Sequence, residues 1–416
     1  MKYGKPIILK EYEPTKLGVL NPKDIFEIDK INNLAKTEIF EIKANNIIKA
    51  KQYVGIVKVN NKNIQVLPKI FGENNDSIIK NLLYMLSYTK KLKIKESDIA
   101  HLGQIQDLFE IFIYIFAKEL LELLRKDFKK NYNLIEENSS FLKGKLLFSQ
   151  HIKNNLFNKS KFFVEYEKMD ENILLNIFLN SVCNKLIKIT NSKSNFKLLS
   201  KCVFILKDID TKIFKSVNQL NNLKFNKQNK EYKEVFGLAK LLYFGNSPDF
   251  SSNLEDNFSI LFDMNVLFEE FIAEFIKKNE NEFGIKSITS QSTSKYVFNN
   301  NKFLLKPDII LDFESNTRLI IDTKYKKICN ESSINYGVSS NDIYQMFVYG
   351  MRYFEVTQNE KNIVLLYPLY EQAVNTIYNS EENIKIYIKT INLNFDLSIK
   401  EGRNNLIDEL KEIIIK

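Results

Sequence analysis

Asp308, Asp322 and Lys324 sit in two strongly apolar runs, LLKPDIILDF and RLIIDTKYK, either side of the polar turn Glu314-Ser315-Asn316-Thr317. Runs this rich in Ile and Leu read as buried strands. A charge in such a strand is costly unless something compensates it. Two acids beside one amine suit a divalent ion. Mg²⁺ is a hard cation held through one or two carboxylates while it keeps several waters, and Mn²⁺ takes similar oxygen donors. In this reading Asp308 and Asp322 hold the ion and the Thr323 carbonyl offers a third oxygen. The ion lowers the pKa of a bound water, and Lys324 would position or help activate that water. Pro307 cannot donate to a ladder, so it suits a strand start or bulge that aims Asp308. Strand alternation places Asp322 and Lys324 on one face, with Thr323 and Tyr325 pointing away. The bland alternative is a hairpin with a structural Asp–Lys pair.

Flanking segments supply further candidates. Phe258 to Lys278 predicts a helix whose inward stripe carries Phe262, Asn265, Val266, Glu269, Ile272, Ala273 and Ile276. An acid on such a stripe wants a cation or a donor, so Glu269 is the extra acidic site residue and potential ligand. Glu270 is the alternative one register step away, and a partly buried salt bridge is the structural one. A second helix, Asp342 to Phe354 (DIYQMFVYGMRYF), is capped by Ser340 or Asn341. Gln345 and Tyr349 lie four apart on one of its faces, able to orient Lys324, the plain alternative being an ordinary amphipathic helix with polar residues at its edge.

This Pro-Asp, then Asp-x-Lys spacing resembles the PD-(D/E)xK nuclease superfamily. The wider pattern looks like the McrC family, the nuclease subunits of modification-dependent restriction systems of the McrBC and LlaJI type. The elements that carry the likeness are LFEEF, LKPDIIL, LIIDTKYK and DIYQMFVYGMRYF, with YVGIVKV, IQVLPKI, LLYMLSY, LKGKLLF and KFFVEYEKMDENILLN upstream. The resemblance implies a type IV-like endonuclease hydrolysing phosphodiesters of double-stranded DNA. It implies a partner, the AAA+ GTPase McrB, which reads DNA and translocates while McrC stimulates GTP hydrolysis and cuts. Asp308, Asp322 and Lys324 match the cleavage triad, and Glu269, Gln345 and Tyr349 match supporting positions. The chain has no GxxxxGK[ST] motif, so GTP is expected only on the partner subunit. The competing expectations are a non-cleaving activator or scaffold of an AAA+ motor, and a stand-alone nuclease.

The rest of the chain must position these residues. At 416 residues it is long for one domain. We expect a β-rich N-terminal interaction domain over 1–104, a mainly helical middle over 105–254 with a two-stranded element near 142–169, and an endonuclease domain over 255–416. The last has a mixed sheet flanked by helices, so the fold class is a multidomain combination of α/β and α+β. Tyr53 to Val59 and Asn63 to Leu67 read as a hairpin, and Gln106 to Phe128 as a central packing helix. Leu142 to Phe148 and Lys161 to Met169 read as strands around a loop with His151, followed by a helix capped by Asp170. Gly245-Asn246-Ser247-Pro248 reads as the best domain boundary. The net charge of +9 suits an anionic partner, although much of the Lys and Asn excess fits genome-wide bias equally. Three scattered cysteines and two histidines argue against a disulfide framework or a zinc site. With no signal core and no apolar run of roughly 18 residues, a soluble cytoplasmic protein is expected.

Overall fold

A computed structural model of the chain describes residues 6–60, 62–70, 75–89, 94–126, 128–225, 230–244, 258–298, 300–354 and 360–414. Of these, 6–108 and 258–414 form one compact unit, and 109–244 form another. The expected N-terminal and C-terminal domains therefore share a unit. The Gly245–Pro248 boundary lies outside the described residues.

The chain opens with β1 (Ile7–Lys10) and α1 (Pro22–Ala35). Asn21 caps α1 in a reciprocal box with Asp24, both bonds at 3.0 Å, and Pro22 takes the first turn, where its missing N–H is no loss. The hairpin β2 (Phe40–Lys43) and β3 (Ile47–Ala50) follows. Next come β4 (Tyr53–Val59) and β5 (Lys62–Leu67), the hairpin read from the sequence. Asn60 begins its turn at a φ of 52°, a conformation asparagine tolerates. Two helices, α2 (Asn75–Tyr88) and α3 (Glu96–Leu102), complete this part.

In the second unit, α4 (Leu108–Lys126) leads to β6 (Asn131–Ser139), β7 (Lys145–Leu146), α5 (Phe148–Asn155) and β8 (Phe162–Asp170). Helices α6 (Leu174–Ile189), α7 (Lys193–Ile205) and α8 (Lys230–Phe244) close it. Three local readings are corrected here. The Leu142–Phe148 strand shrinks to β7, and β6 takes its place as the long partner of β8. His151 lies on helix α5, where its Nδ1 accepts the Phe163 N–H at 3.3 Å. Asp170 belongs to β8, and α6 starts at Leu174.

The chain then returns to the first unit through β9 (Phe258–Asp263) and α9 (Met264–Lys278). The helix expected from Phe258 is thus preceded by a strand. That strand adds to β4, giving a sheet of order β1-β5-β4-β9. Gly55 permits the approach, because a Cβ there would lie 2.0 Å from the Ile260 carbonyl oxygen. Asp263 then caps α9 by accepting the Asn265 N–H at 2.8 Å.

The remaining elements are β10 (Ile285–Ser290), β11 (Lys295–Phe298), β12 (Lys302–Leu305), β13 (Ile309–Phe313) and β14 (Arg318–Thr323). They continue with α10 (Ser340–Tyr353), β15 (Lys361–Pro368), β16 (Asn375–Asn379), β17 (Ile384–Ile391) and α11 (Lys400–Ile414). Six strands build a mixed sheet of order β10-β13-β14-β15-β17-β16. β14, β15 and β17 run parallel, and the outer pairings are antiparallel. Parallel neighbours need a crossover, and α10 supplies it between β14 and β15. Met346, Tyr349 and Tyr353 of α10 pack with Ile310, Ile320, Ile363 and Ile386 in one apolar cluster. Arg318 pins the far end of the helix, bonding Asp312 and the Tyr353 carbonyl, each at 2.7 Å. Ser339, one residue before the expected cap, accepts the Asp342 N–H at 3.1 Å.

Candidate active site

The register of β13 against β14 pairs Ile309 with Ile321 and Ile310 with Ile320. Continued by one step, that register sets Asp308, just before β13, opposite Asp322, and the Asp308 charge acts on the Asp322 carboxyl. Cross-strand partners share a sheet face, so the hairpin brings together two carboxylates that lie apart in sequence. Asp308 is held by Thr323, whose N–H and hydroxyl donate to its Oδ2 at 2.7 and 2.8 Å. This corrects the expectation that the Thr323 side chain points away from the acids. Strand β14 ends here, and the hydroxyl turns toward Asp308.

Asp322 is 1% exposed, and Lys324 Nζ lies 2.5 Å from its Oδ2. The amine also reaches Gln345 Oε1 at 3.4 Å, and Gln345 Nε2 donates to the Tyr349 hydroxyl at 2.7 Å. Asp322, Lys324, Gln345 and Tyr349 thus form one polar chain beneath α10. Burial, then Asp308, pushes the Asp322 carboxyl up to about 7 against the pull of Lys324. Burial likewise raises Asp308, opposed by the Thr323 bonds. Burial alone would lower Lys324, but the Asp322 carboxylate outweighs it and the amine is raised. Lys324 opposes the protonation of Asp322 but does not cancel the combined push of burial and Asp308.

Glu269 approaches from α9. Gln291 Nε2 donates to its Oε1 at 2.7 Å, and burial, then Asp308, raises its carboxyl. Glu269, Glu270, Gln291, Ser290, Tyr88 and Asp308 line a cavity of about 220 Å³. Both adjacent glutamates are half-buried, so the periodic distinction between Glu269 and Glu270 is blunted. The helix starts later than expected, and its buried face carries Leu267, Phe268, Phe271 and Phe275.

The donor set fits a hard divalent cation. Asp308 and Asp322 are oxygen donors close enough for one charge to act on the other, and burial makes their charge costly without a cation. Among the described residues, no three His, Cys, Asp or Glu side chains are arranged to hold a metal ion. Glu269 therefore stands beside the carboxylate pair and does not complete a three-carboxylate cage. Two protein carboxylates, with waters for the remainder, is an ordinary arrangement for Mg²⁺.

Three neighbours escaped the sequence reading. Gln291 holds Glu269. Asp342 holds Lys326, its oxygens 2.9 and 3.2 Å from Nζ. Glu11 accepts a bond from Tyr325. Only Lys326 carried a signal, because alternation puts it on the face of Asp322 and Lys324.

A model of the family described as McrBC 5-methylcytosine restriction system component matches residues 48–368. The chain belongs to this McrBC family. It is 24% identical over 341 residues to the Type IV methyl-directed restriction enzyme EcoKMcrBC of Escherichia coli K12, an alignment covering 76% of this chain and 92% of the relative. A chain in a refined half-complex from a tetradecameric assembly of Thermococcus gammatolerans McrB AAA+ hexamers with bound McrC shares its fold. The TM-score is 0.77 at 24% identity, over 99% of this chain and 100% of that one. A chain of the Thermococcus gammatolerans McrBC complex matches with a TM-score of 0.56 at 27% identity, over 66% of this McrBC-family chain and 88% of its own length. Among the described residues, no helix is long and apolar enough to cross a membrane.

Proposed function

We propose that the chain is the DNA-cleaving subunit of an McrBC-like restriction system. It would hydrolyse phosphodiesters of double-stranded DNA with Mg²⁺, or Mn²⁺, while assembled with a McrB-like AAA+ GTPase that it stimulates. The observation that carries this reading is a second carboxylate, Asp308, acting on buried Asp322 at the end of the β13–β14 hairpin, with Lys324 2.5 Å from Asp322. A structural ion pair needs one acid, and this site has two.

In this mechanism Asp308 Oδ1, Asp322 and the Thr323 carbonyl would hold the cation. When bound, it would polarise the phosphate and ease ionisation of a water. Lys324 orients the attacking water and carries positive charge to where the phosphoryl oxygens become more negative. Gln345 and Tyr349 keep the amine from wandering. Glu269, its carboxyl raised by burial and Asp308, is placed to accept a proton through an intervening water. The nucleotide requirement falls to the partner, because this chain has no phosphate-binding glycine loop of the P-loop type.

The second unit supports the partner role. Strands β6 and β8 with α5 leave Tyr132, Leu134, Phe141, Leu142, Phe148 and Phe157 exposed, Phe157 by 97%. Exposed apolar side chains of this kind are available to a protein partner. Incubation of the chain with methylated and unmethylated DNA, Mg²⁺, GTP and the partner GTPase tests the proposal. Cleavage by the wild type and none by Asp322→Ala, with GTPase stimulation retained, supports it. Cutting by Asp322→Ala at the wild-type rate refutes it.

A further inference from the structure

Tyr325 follows Lys324 directly, and its side chain leaves the strand on the opposite side. Its hydroxyl donates to Glu11 Oε2 at 2.6 Å, a bond between the start of the chain and the end of β14. Glu11 is 1% exposed. The same oxygen accepts the Lys69 N–H at 3.2 Å, and Oε1 has no hydrogen-bond partner among the described residues. Lys69 Nζ lies over two rings, 4.1 Å from the centre of Tyr12 and 4.7 Å from that of Tyr325. On another side, the Phe268 ring packs 6.0 Å from Tyr325, and Phe268 immediately precedes Glu269 on α9. Asp263 and Lys327 are the other charged groups that act on this cluster.

The placement matters because β14 ends at Thr323. Lys324 N–H makes one more bond, to the Leu366 carbonyl at 2.9 Å, and the Lys324 carbonyl then turns back to the Lys326 N–H at 2.8 Å. Pro368, further along β15, has no N–H to offer the departing chain. Lys324 thus stands where the ladder stops, and a group used in chemistry must be held to within about 0.5 Å. The Tyr325 side chain is the anchor that takes over.

We propose that Glu11, backed by Lys69, is a positioning residue of the cleavage site, acting through Tyr325 to fix the end of β14 that carries Lys324. The inference rests on the nuclease reading above. It assigns to the N-terminal sheet a part in cleavage that is separate from partner binding. Burial raises the Glu11 carboxyl to about 7 and lowers the Lys69 amine to about 8, each held back by the other. Burying such a cluster costs stability.

A double-mutant cycle on cleavage by the reconstituted complex, with GTPase stimulation measured alongside, tests it. Tyr325→Phe removes only the hydroxyl, and Glu11→Ala removes its acceptor. Each is expected to lower kcat for cutting about tenfold with KM for DNA nearly unchanged. The double variant is expected to fall no further, because both changes break one bond. Glu11→Gln keeps an acceptor oxygen and is expected to restore cutting. GTPase stimulation is expected to persist in all four variants. Wild-type kcat in Tyr325→Phe, or a double variant losing the product of the two single effects, overturns the inference. Tyr325→Phe decides alone if Glu11→Ala does not fold. A wild-type chain that never cuts removes the nuclease reading itself, and this inference with it.

Discussion

Asp308 Oδ2 accepts two hydrogen bonds from a single residue, the N–H and the hydroxyl of Thr323. Thr323 thus satisfies its own N–H on the Asp308 side chain at the point where β14 ends. The carboxylate is fixed through Oδ2, and in the proposed site Oδ1 would hold the ion. Thr323→Val keeps the N–H bond and deletes the hydroxyl bond. Groups that orient metal ligands typically contribute tenfold or more to metal affinity. Titration with Mn²⁺ should show binding weakened about tenfold in Thr323→Val. Unchanged affinity would mean that the hydroxyl does not orient a ligand.

Lys324→Met removes the cation beside Asp322 and keeps the aliphatic stem. A buried carboxylate without its partner takes up a proton more readily, so metal binding and chemistry both suffer. Loss of a single charge-stabilising group of this kind costs roughly 10²–10³ in kcat. Gln345→Ala leaves the Asp322–Lys324 contact in place and frees only one side of the amine. Its loss should be smaller, about tenfold or less. Cleavage rates of the two variants compared in one assay check this order, and a reversed order would contradict the chain from Asp322 to Tyr349.

Burial raises Glu11 from 4.5 to about 7. A carboxyl raised on folding binds its proton more tightly in the folded state, so its contribution is present below the unfolded pKa and is lost as pH rises toward 7. Asp322, raised from 3.8 to about 7, acts in the same direction in metal-free protein. Lys69, lowered to about 8, titrates above that window and leaves the sign unchanged. Glu11→Gln abolishes the Glu11 part. Relative to wild type it should gain on the order of 2 kcal/mol between pH 5 and pH 8. Thermal unfolding midpoints at the two pH values measure it, and an equal gap at both would contradict the assignment.

Displacement of the Asp322 proton gives metal binding its own pH dependence. Mn²⁺ affinity should rise with pH until about 7 and then level off, with proton release on binding below that point. Calorimetry in buffers of differing ionisation enthalpy reads the released proton directly. A pH-independent affinity between pH 5 and pH 8 would place the ion away from Asp322.

The candidate site was legible where its residues are neighbours in sequence. Alternation alone puts Asp322 and Lys324 on one face, and the greasy flanks mark their charges as out of place. Glu269 could be picked out as an acid among apolar neighbours, although the helix begins six residues later than its pattern suggests. What stayed hidden was non-local. Residues from Phe258 form a strand because β4 offers an edge and Gly55 leaves room, a contact between distant parts of the chain. Strand β6 escaped because most of its residues are exposed and show no apolar alternation. Glu11 and Tyr325 carry no mark of their pairing until the fold brings them together.

The most direct test is anomalous diffraction from crystals of the chain soaked in Mn²⁺. An ion in contact with oxygens of both Asp308 and Asp322, lost in Asp322→Asn, is the expected result. An ion bound elsewhere, or none at these residues in a chain that still cuts DNA, would contradict it.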